Sequence, residues 1–327
     1  MKEILVIGGT GAQGLPVVKA LSSSKRFTVK VLTRDANSSR AQKIAKLPNV
    51  TLIEGKQDNQ KDLHKAFHGV YGAWVNTDGF TLGEKNELFY GCRAYEIARH
   101  EGVQHYVYAS TDFALKRANW NERYHWGHND AKGRVADYIL AQGQEGMKSS
   151  ILTTGPYMEM LFDGMFVPSE QADGSMLWAN PAESGKIPLI ALDDVGPYSL
   201  WLFDNPQESA GMDLKVATDE VSFTDIAAVF TDVTGKKGVH KHLPLAEWLP
   251  IAEPFPDAPA NFAAGPNIIR DEATMPWREN FSAWWRFWGE GEWMKKVYYD
   301  GQPKAILKGV EDLKKQALLL QRGAVPS

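Results

Sequence analysis

The sequence predicts an α/β fold in which a doubly wound parallel sheet carries a smaller, aromatic-rich C-terminal α/β lobe. The chain opens on a short apolar run that leads through closely spaced glycines into a helical pattern. Strand and helix patterns then alternate to about residue 155, after which the periodicity weakens and Pro, Gly and Trp become frequent. We therefore expect one domain over 1–155, to which later segments return, and a second lobe formed mainly by 156–327.

Each element of the first domain follows from apolar residues at strand or helix spacing. The predicted strands are short apolar runs over 4–7, 28–32, 50–54, 72–76, 105–110 and 149–153. The predicted helices lie between them, over 15–22, 38–46, 61–67, 84–100 and 130–142. Six parallel strands would complete the sheet. Further along, 222–231 predicts a capped helix and 311–321 a terminal one.

The glycine turn after the first strand predicts a dinucleotide-binding site. Glycines three residues apart let the backbone approach a pyrophosphate closely, and the following helix presents free N–H groups and a partial positive charge to it. The residues expected to contact the pyrophosphate are Gly8, Thr10, Gly11, Ala12, Gln13 and Gly14.

The end of the second strand indicates which dinucleotide is bound. An NAD site usually has a carboxylate here to accept the ribose hydroxyls, whereas a guanidinium pairs with the 2′-phosphate of NADP. This strand is followed by Arg34, which favours NADP(H). Asp35, one residue later, leaves NAD as the alternative.

Composition and charge exclude several function classes. The chain has 327 residues, 43% of them hydrophobic, enough for one large core without covalent cross-links, and its single cysteine, Cys92, suits a reducing compartment. No apolar run approaches the ~20 residues that span a bilayer, and the first strand leaves no room for a signal peptide, so we expect a cytoplasmic or nuclear location. The net charge is −4 with dispersed cations, which disfavours direct nucleic-acid binding. No zinc pattern, and hence no metal, is predicted from the histidines at 105, 125, 128, 240 and 242.

Seven segments together resemble the NmrA-like family of atypical short-chain dehydrogenases over about residues 1–235. They are the glycine turn, 33–34, 54–58, 75–77, 106–110, 128–132 and 157–159. The resemblance implies a Rossmann domain that prefers NADP(H), with a small substrate lobe, and further cofactor contacts from Gln57, Asp58, Asn76, Thr77, Lys132, Tyr157 and Glu159. Lys56 stands where relatives often carry an Asp that reaches the adenine, so Asp58 or a backbone group would have to serve.

The candidate catalytic residues lie on the fifth strand and on the helix after it. The wider superfamily has a Ser at the end of strand five and a Tyr and Lys four residues apart on the next helix. Ser110 and Lys132 match two of these positions, but His128 stands where the Tyr is expected. In one hypothesis Lys132 holds the ribose and His128, titrating near neutrality, relays a proton. In a second, Tyr124 approaches from a loop; in a third, no reaction occurs and the protein reports the NADPH level through a partner surface.

The aromatic residues of the second half favour an enzyme. A wall of aromatic side chains suits a flat apolar ligand, and the candidates are Tyr157, Phe162, Phe166, Trp178 and the cluster over 277–288. A second aromatic cluster follows, with Trp293, Tyr298 and Tyr299. Core packing is the alternative role for Trp284, Trp285 and Trp288. We expect an NADPH-dependent oxidoreductase that reduces a small apolar or aromatic carbonyl, enone or imine. The other hypothesis is a non-catalytic NADP(H) sensor with a protein partner or as a homodimer, which predicts a shallow exposed surface near 157–190.

Overall fold

The computed structural model describes residues 1–263, 268–269, 271 and 273–290. The predicted terminal helix over 311–321 lies outside these residues, as do Trp293, Tyr298 and Tyr299.

The elements alternate between strand and helix through the first half of the chain. The strands are β1 Lys2–Ile7, β2 Phe27–Thr33, β3 Val50–Glu54, β4 Gly72–Val75, β5 His105–Ser110, β6 Lys148–Thr154, β7 Ser169–Glu170, β8 Met176–Asn180, β9 Ile187–Leu189, β10 Asp213–Val216, β11 Asp219–Val221 and β12 Gly238–His242. The helices are α1 Gly14–Ser23, α2 Ser39–Ala45, α3 Gln60–Phe67, α4 Gly79–Leu82, α5 Glu84–His100, α6 Ala114–Arg117, α7 Gly127–Ala141, α8 Leu192–Asp204, α9 Phe223–Thr234, α10 Leu245–Ala252 and α11 Trp277–Gly289.

The main sheet has seven strands in the order β10-β6-β5-β4-β1-β2-β3, and every neighbouring pair is parallel. The α/β fold class and the six predicted strands are confirmed. The seventh strand, β10, was not predicted because it is only four residues long and lies beyond the region of clear periodicity. The strand order reverses beside β1, so a crevice opens at the carboxyl ends of β1 and β4, where open α/β sheets bind ligands.

Helices cover both faces of this sheet. On one face α1 packs against α8, and the core on this side includes Val17, Val18 and Leu202, all fully buried. The other face is covered by α3, α5 and α7, with Phe67 and Ile139 in its core. Thus α8 and β10, which come after residue 155, belong to the layers of the main sheet.

The remaining elements form an aromatic cluster with two small sheets. One sheet pairs β9 with β11, and the other has the order β12-β8-β7. The predicted capped helix is α9, in which Ser222 and Asp225 form a reciprocal capping box. Most of the buried residues of this cluster come from α9, α11 and the strands beside them. The cluster places α11 against the mouth of the crevice.

Candidate active site

A cavity of about 510 Å³ occupies the carboxyl edge of the main sheet. It runs from the glycine turn to the aromatic side chains of α11. The sequence-predicted residues that line it are Gly8, Thr10, Gly11, Ala12, Gln13, Arg34, Gln57, Asn76, Thr77, His128, Lys132 and Tyr157. Those that do not are Gly14, Asp58, Ser110, Tyr124 and Glu159.

The three glycines of the turn have different roles. Gly8 has φ +85°, and a Cβ there would lie 2.7 Å from the Asn76 carbonyl oxygen, so the backbone requires glycine. Gly14 packs the first turn of α1 against the strand end, since a Cβ there would lie 2.1 Å from the Gly8 carbonyl oxygen. A Cβ on Gly11 meets only that oxygen, at 3.2 Å. Gly11 therefore faces the cavity, and its lack of a side chain leaves space for a ligand.

Two arginines lie at the end of the cavity beside β2. Arg34 follows the strand and Arg40 lies in the first turn of α2, and both are exposed. Asp35 does not line the cavity, and its Oδ1 accepts the Asn37 backbone N–H at 2.8 Å. This end is thus cationic. The sequence did not predict Arg40 as a site residue, because its position beside the cavity depends on how α2 packs against the sheet.

Lys132 is held at the cavity floor by several acceptors. Its Nζ donates to Asn76 Oδ1 at 3.0 Å and to the Thr77 carbonyl oxygen at 2.7 Å. It also lies 2.9 Å from Oε1 of Glu87, a fully buried carboxylate on α5 that accepts a hydrogen bond from the Thr77 hydroxyl. Burial raises the pKa of Glu87, against the opposing effect of Lys132. Sequence reasoning missed Glu87 because a Glu in the first turn of a helix is ordinarily a solvated residue.

His128 and Lys132 are four residues apart on α7, and both line the cavity. Burial lowers the pKa of His128 to about 4; the charge of Lys132 acts in the same direction, and burial outweighs the opposing effects of the Asn280 side chain and of Glu84. The expectation that His128 titrates near neutrality is therefore wrong. At neutral pH the ring is uncharged, because a charged imidazolium would lose its hydration here, and it offers a hydrogen bond rather than an acidic proton.

Tyr124 occupies a separate environment. The helix α7 begins at Gly127, three residues before the predicted start, whereas Tyr124 ends a short 3-10 turn, Glu122–Tyr124. Its ring is buried and its hydroxyl donates to Glu290. The structure thus does not bring Tyr124 together with Lys132 on one helix face.

Three other predicted residues do not line the cavity. The Ser110 hydroxyl donates to the Thr111 carbonyl oxygen at 3.1 Å. The Glu159 carboxylate accepts the Leu192 backbone N–H at 3.1 Å, at the start of α8, where a negative charge suits the helix dipole. Asp58 lies in the turn before α3, and the cavity wall nearby is formed instead by Gly55 and Gln57.

The far end of the cavity is apolar and aromatic. One face of α11 contributes Phe281, Trp284 and Trp288, and Phe80, Met160 and Met165 also line this part of the cavity. The Phe80 ring centroid is 4.7 Å from that of His128. The tryptophans of α11 have both of the roles considered for them. Trp284 and Trp288 line the cavity, whereas Trp285 is fully buried in the core. Phe162, Phe166 and Trp178 belong to the core cluster or pack against it and do not line the cavity.

Two features of the described residues bear on membranes and metals. No helix among them is long and apolar enough to cross a bilayer. One group could hold a metal ion, formed by His64, His100 and Glu101, and it is not part of the cavity. There the Glu101 carboxylate already pairs with the rings of His64 and His68, at 2.7 and 3.0 Å.

Comparisons with known proteins place the chain in one family. The NmrA-like family model matches residues 1–263. The NmrA-like family domain-containing oxidoreductase himF of Aspergillus japonicus is 29% identical over 72% of this chain and 74% of its own. Among solved structures, NmrA, a negative transcriptional regulator, superimposes with a TM-score of 0.71 at 21% identity, covering 97% of this chain and 90% of NmrA, in complexes with NADP and with NAD. Triphenylmethane reductase of Citrobacter sp., complexed with NADP(H), has a TM-score of 0.69 at 19% identity over 96% of this chain and 99% of its own. The chain belongs to the NmrA-like family.

Proposed function

We propose that this protein is an NADPH-dependent oxidoreductase that reduces a small apolar or aromatic carbonyl, enone or imine. The observation that carries the proposal is the continuation of the cavity beyond Lys132, past the neutral His128, into the wall formed by Phe281, Trp284 and Trp288. A cofactor site alone requires no such chamber. Apolar lining with a few convergent polar groups is typical of small-molecule sites.

The cationic end of the cavity supports NADP(H) as the cofactor. Arg34 and Arg40 would bind the 2′-phosphate, while the turn around Gly11 would bind the pyrophosphate. Asp35, the residue that would favour NAD, bonds to the following turn. The NADP complexes of NmrA and triphenylmethane reductase agree with this assignment.

In the reaction, residues of this chain would bind the cofactor and polarise the reacting group of the substrate. When bound, NADPH supplies a hydride to the substrate. Lys132, pinned by Asn76, Thr77 and Glu87, would present its fixed charge to the ribose and to the electron pair that develops on the substrate. His128 would donate a hydrogen bond to the substrate oxygen or nitrogen, and the aromatic wall would exclude bulk water. The proton of the reduced product would come from water, since the neutral imidazole has no acidic proton to give.

The sensor hypothesis is the second candidate, since the relatives include both oxidoreductases and a transcriptional regulator. It predicts a shallow exposed surface near 157–190. In that segment Met158, Leu161, Phe166 and Trp178 are buried in the core, and Tyr157 and Met160 line the cavity. These positions favour turnover.

A substrate panel with site variants tests the proposal. Aromatic ketones, enones and imines are screened by NADPH fluorescence. We expect His128→Ala to lower kcat by about 10²–10³-fold, the range for loss of one hydrogen-bond donor to a developing charge, with little change in NADPH affinity. Lys132→Ala should weaken both binding and turnover. Tyr138→Phe, at the far end of α7, is the matched control because its hydroxyl contacts only the exposed Glu96 carboxylate.

Three results would contradict this assignment. Turnover that survives His128→Ala but is lost in Tyr124→Phe would transfer the role to Tyr124. Loss of turnover in Tyr138→Phe would show that α7 variants act through the fold. No NADPH oxidation across the panel, together with an NADPH-dependent change in protein partners, would establish the sensor.

A further inference from the structure

We propose that Asn280 is a positioning residue that fixes His128 as the Nε2–H tautomer, so that the site selects substrates whose reacting group carries an unprotonated acceptor atom. The tautomer follows from the contacts of Asn280 alone. The statement about substrates rests on the proposed function.

The orientation of the Asn280 side chain is set by the backbone. Asn280 is 1% exposed and lies on α11. Its Oδ1 accepts the backbone N–H of Gly127, the first residue of α7, at 3.1 Å. A flipped amide would bring its NH₂ against this N–H, two donors facing each other. The oxygen therefore stays on Gly127.

This orientation assigns the hydrogen on His128. The Asn280 Nδ2 lies 3.1 Å from His128 Nδ1, and Oδ1 lies 3.2 Å from the same atom. If Nδ1 carried the hydrogen and donated to Oδ1, the buried Nδ2 would lose its acceptor among the described residues. If Nδ1 is bare, Nδ2 donates to it and every polar atom of Asn280 is satisfied, as is usual for buried amides. The hydrogen then resides on Nε2.

The free ring nitrogen is the one available to a ligand. Nε2 of His128 has no hydrogen-bond partner among the described residues and is not among their buried unpartnered atoms, and the ring lines the cavity. The Phe80 and Phe281 rings lie 4.7 and 5.8 Å from it. The charged groups facing His128 are Lys132, one turn along α7, and Glu84 on α5. Burial and Lys132 outweigh Glu84, so the ring stays neutral and Nε2–H is only a donor.

A donor at this position discriminates between substrates by charge. A carbonyl oxygen or a neutral imine nitrogen accepts a hydrogen bond from Nε2–H, whereas an iminium nitrogen has no lone pair to offer. When hydride from NADPH adds to a carbonyl carbon, the C=O electron pair moves to oxygen, where Nε2–H binds it. Water then supplies the proton, giving the alcohol, hydroxide and NADP⁺. His128 ends each cycle unchanged.

Nitrogen NMR of the full chain with ¹⁵N-labelled histidine tests the tautomer without turnover. We expect the wild type at pH 7 to show His128 with its hydrogen on Nε2, the resonance being assigned with His128→Gln. In Asn280→Asp the carboxylate accepts from both Gly127 and Nδ1–H, so the hydrogen moves to Nδ1 and the titration midpoint of His128 rises above 6.5. Glu279→Gln, an exposed change on α11, is the control and should alter neither.

Kinetics supply the second readout. We expect Asn280→Asp to lower kcat about 100-fold at unchanged KM for NADPH, with a new limb in the pH profile where His128 titrates. A ketone should be reduced at least 100-fold faster than a permanently charged iminium of the same shape.

The positioning role of Asn280, the substrate selection and the proposed function are each refuted by a different outcome. An Nδ1–H tautomer in the wild type, or an Asn280→Asp spectrum identical to it, refutes the role of Asn280, and the wild-type spectrum decides this even if the variant does not fold. Equal reduction of ketone and iminium refutes the substrate selection. An Nε2–H tautomer without NADPH oxidation of any carbonyl refutes the proposed function and leaves the positioning role intact.

Discussion

Replacement of Arg34 and Arg40 by alanine should remove the preference for NADPH over NADH. Both guanidinium groups border the cavity beside β2, and Asp35 is bonded to the next turn instead. NADH lacks the 2′-phosphate with which these side chains would pair. The double substitution should therefore lower the affinity for NADPH and leave the affinity for NADH nearly unchanged.

The magnitude follows from the exposure of the two side chains. A hydrogen bond to a charged group contributes about 1.5–3 kcal/mol. Because Arg34 and Arg40 are both exposed, we take about 1.5 kcal/mol for each, which is roughly tenfold in affinity per arginine and about a hundredfold for the pair. The Kd for NADH should change less than about twofold, within ordinary variation of surface substitutions.

Calorimetric titration of both cofactors measures these differences. Lys43→Ala is the matched control, since Lys43 is an exposed cation on α2 that does not line the cavity. The selectivity should also fall with added salt, because exposed charges are screened. Equal affinities of the wild type for NADPH and NADH, or a double variant that loses both cofactors alike, would refute the reasoning.

Two further predictions concern the turn and the half-buried imidazole of His128. Gly11→Val should abolish NADPH binding and leave the circular dichroism spectrum unchanged, because its side chain would enter the cavity; Gly14→Ala should instead lower the melting temperature, as its Cβ meets the Gly8 backbone at 2.1 Å. Normal binding by Gly11→Val would make the turn purely structural. The pKa of His128, about 4 when folded against 6.5 unfolded, means that the unfolded chain gains a proton first as the pH falls. This contribution to stability is complete above pH 6.5 and is lost toward pH 4. Between pH 7 and 5 the free energy of unfolding should therefore drop about 2 kcal/mol more in the wild type than in His128→Gln. Denaturant titration at each pH measures this difference. If the free energy of unfolding falls equally with pH in the wild type and in His128→Gln, the His128 ring is hydrated in the folded protein.

The cofactor end of the site was predictable because its residues are fixed by short-range order. Gly8, Gly11 and Arg34 each follow directly from the end of a strand, and parallel strands bring their carboxyl ends to the same edge. Once the sequence predicts the strands, the positions of these residues follow. The spacing of His128 and Lys132 likewise placed both on one helical face.

Contacts between distant segments could not be predicted in this way. Asn280 lies 152 residues from His128, and Glu87 lies beneath Lys132 only because α5 packs against α7. The periodicity of α11 shows an amphipathic helix but does not state which aromatic face meets the cavity and which the core.

The sequence by itself determined the fold class, the dinucleotide site and its cationic end, since these depend on the order of strands, turns and helices along the chain. The tertiary structure alone decided the low pKa of His128, the separation of Tyr124 from Lys132, and which face of α11 lines the cavity. The physical reason is that burial and charge pairing depend on what surrounds a group in space, and most of those neighbours come from elsewhere in the chain.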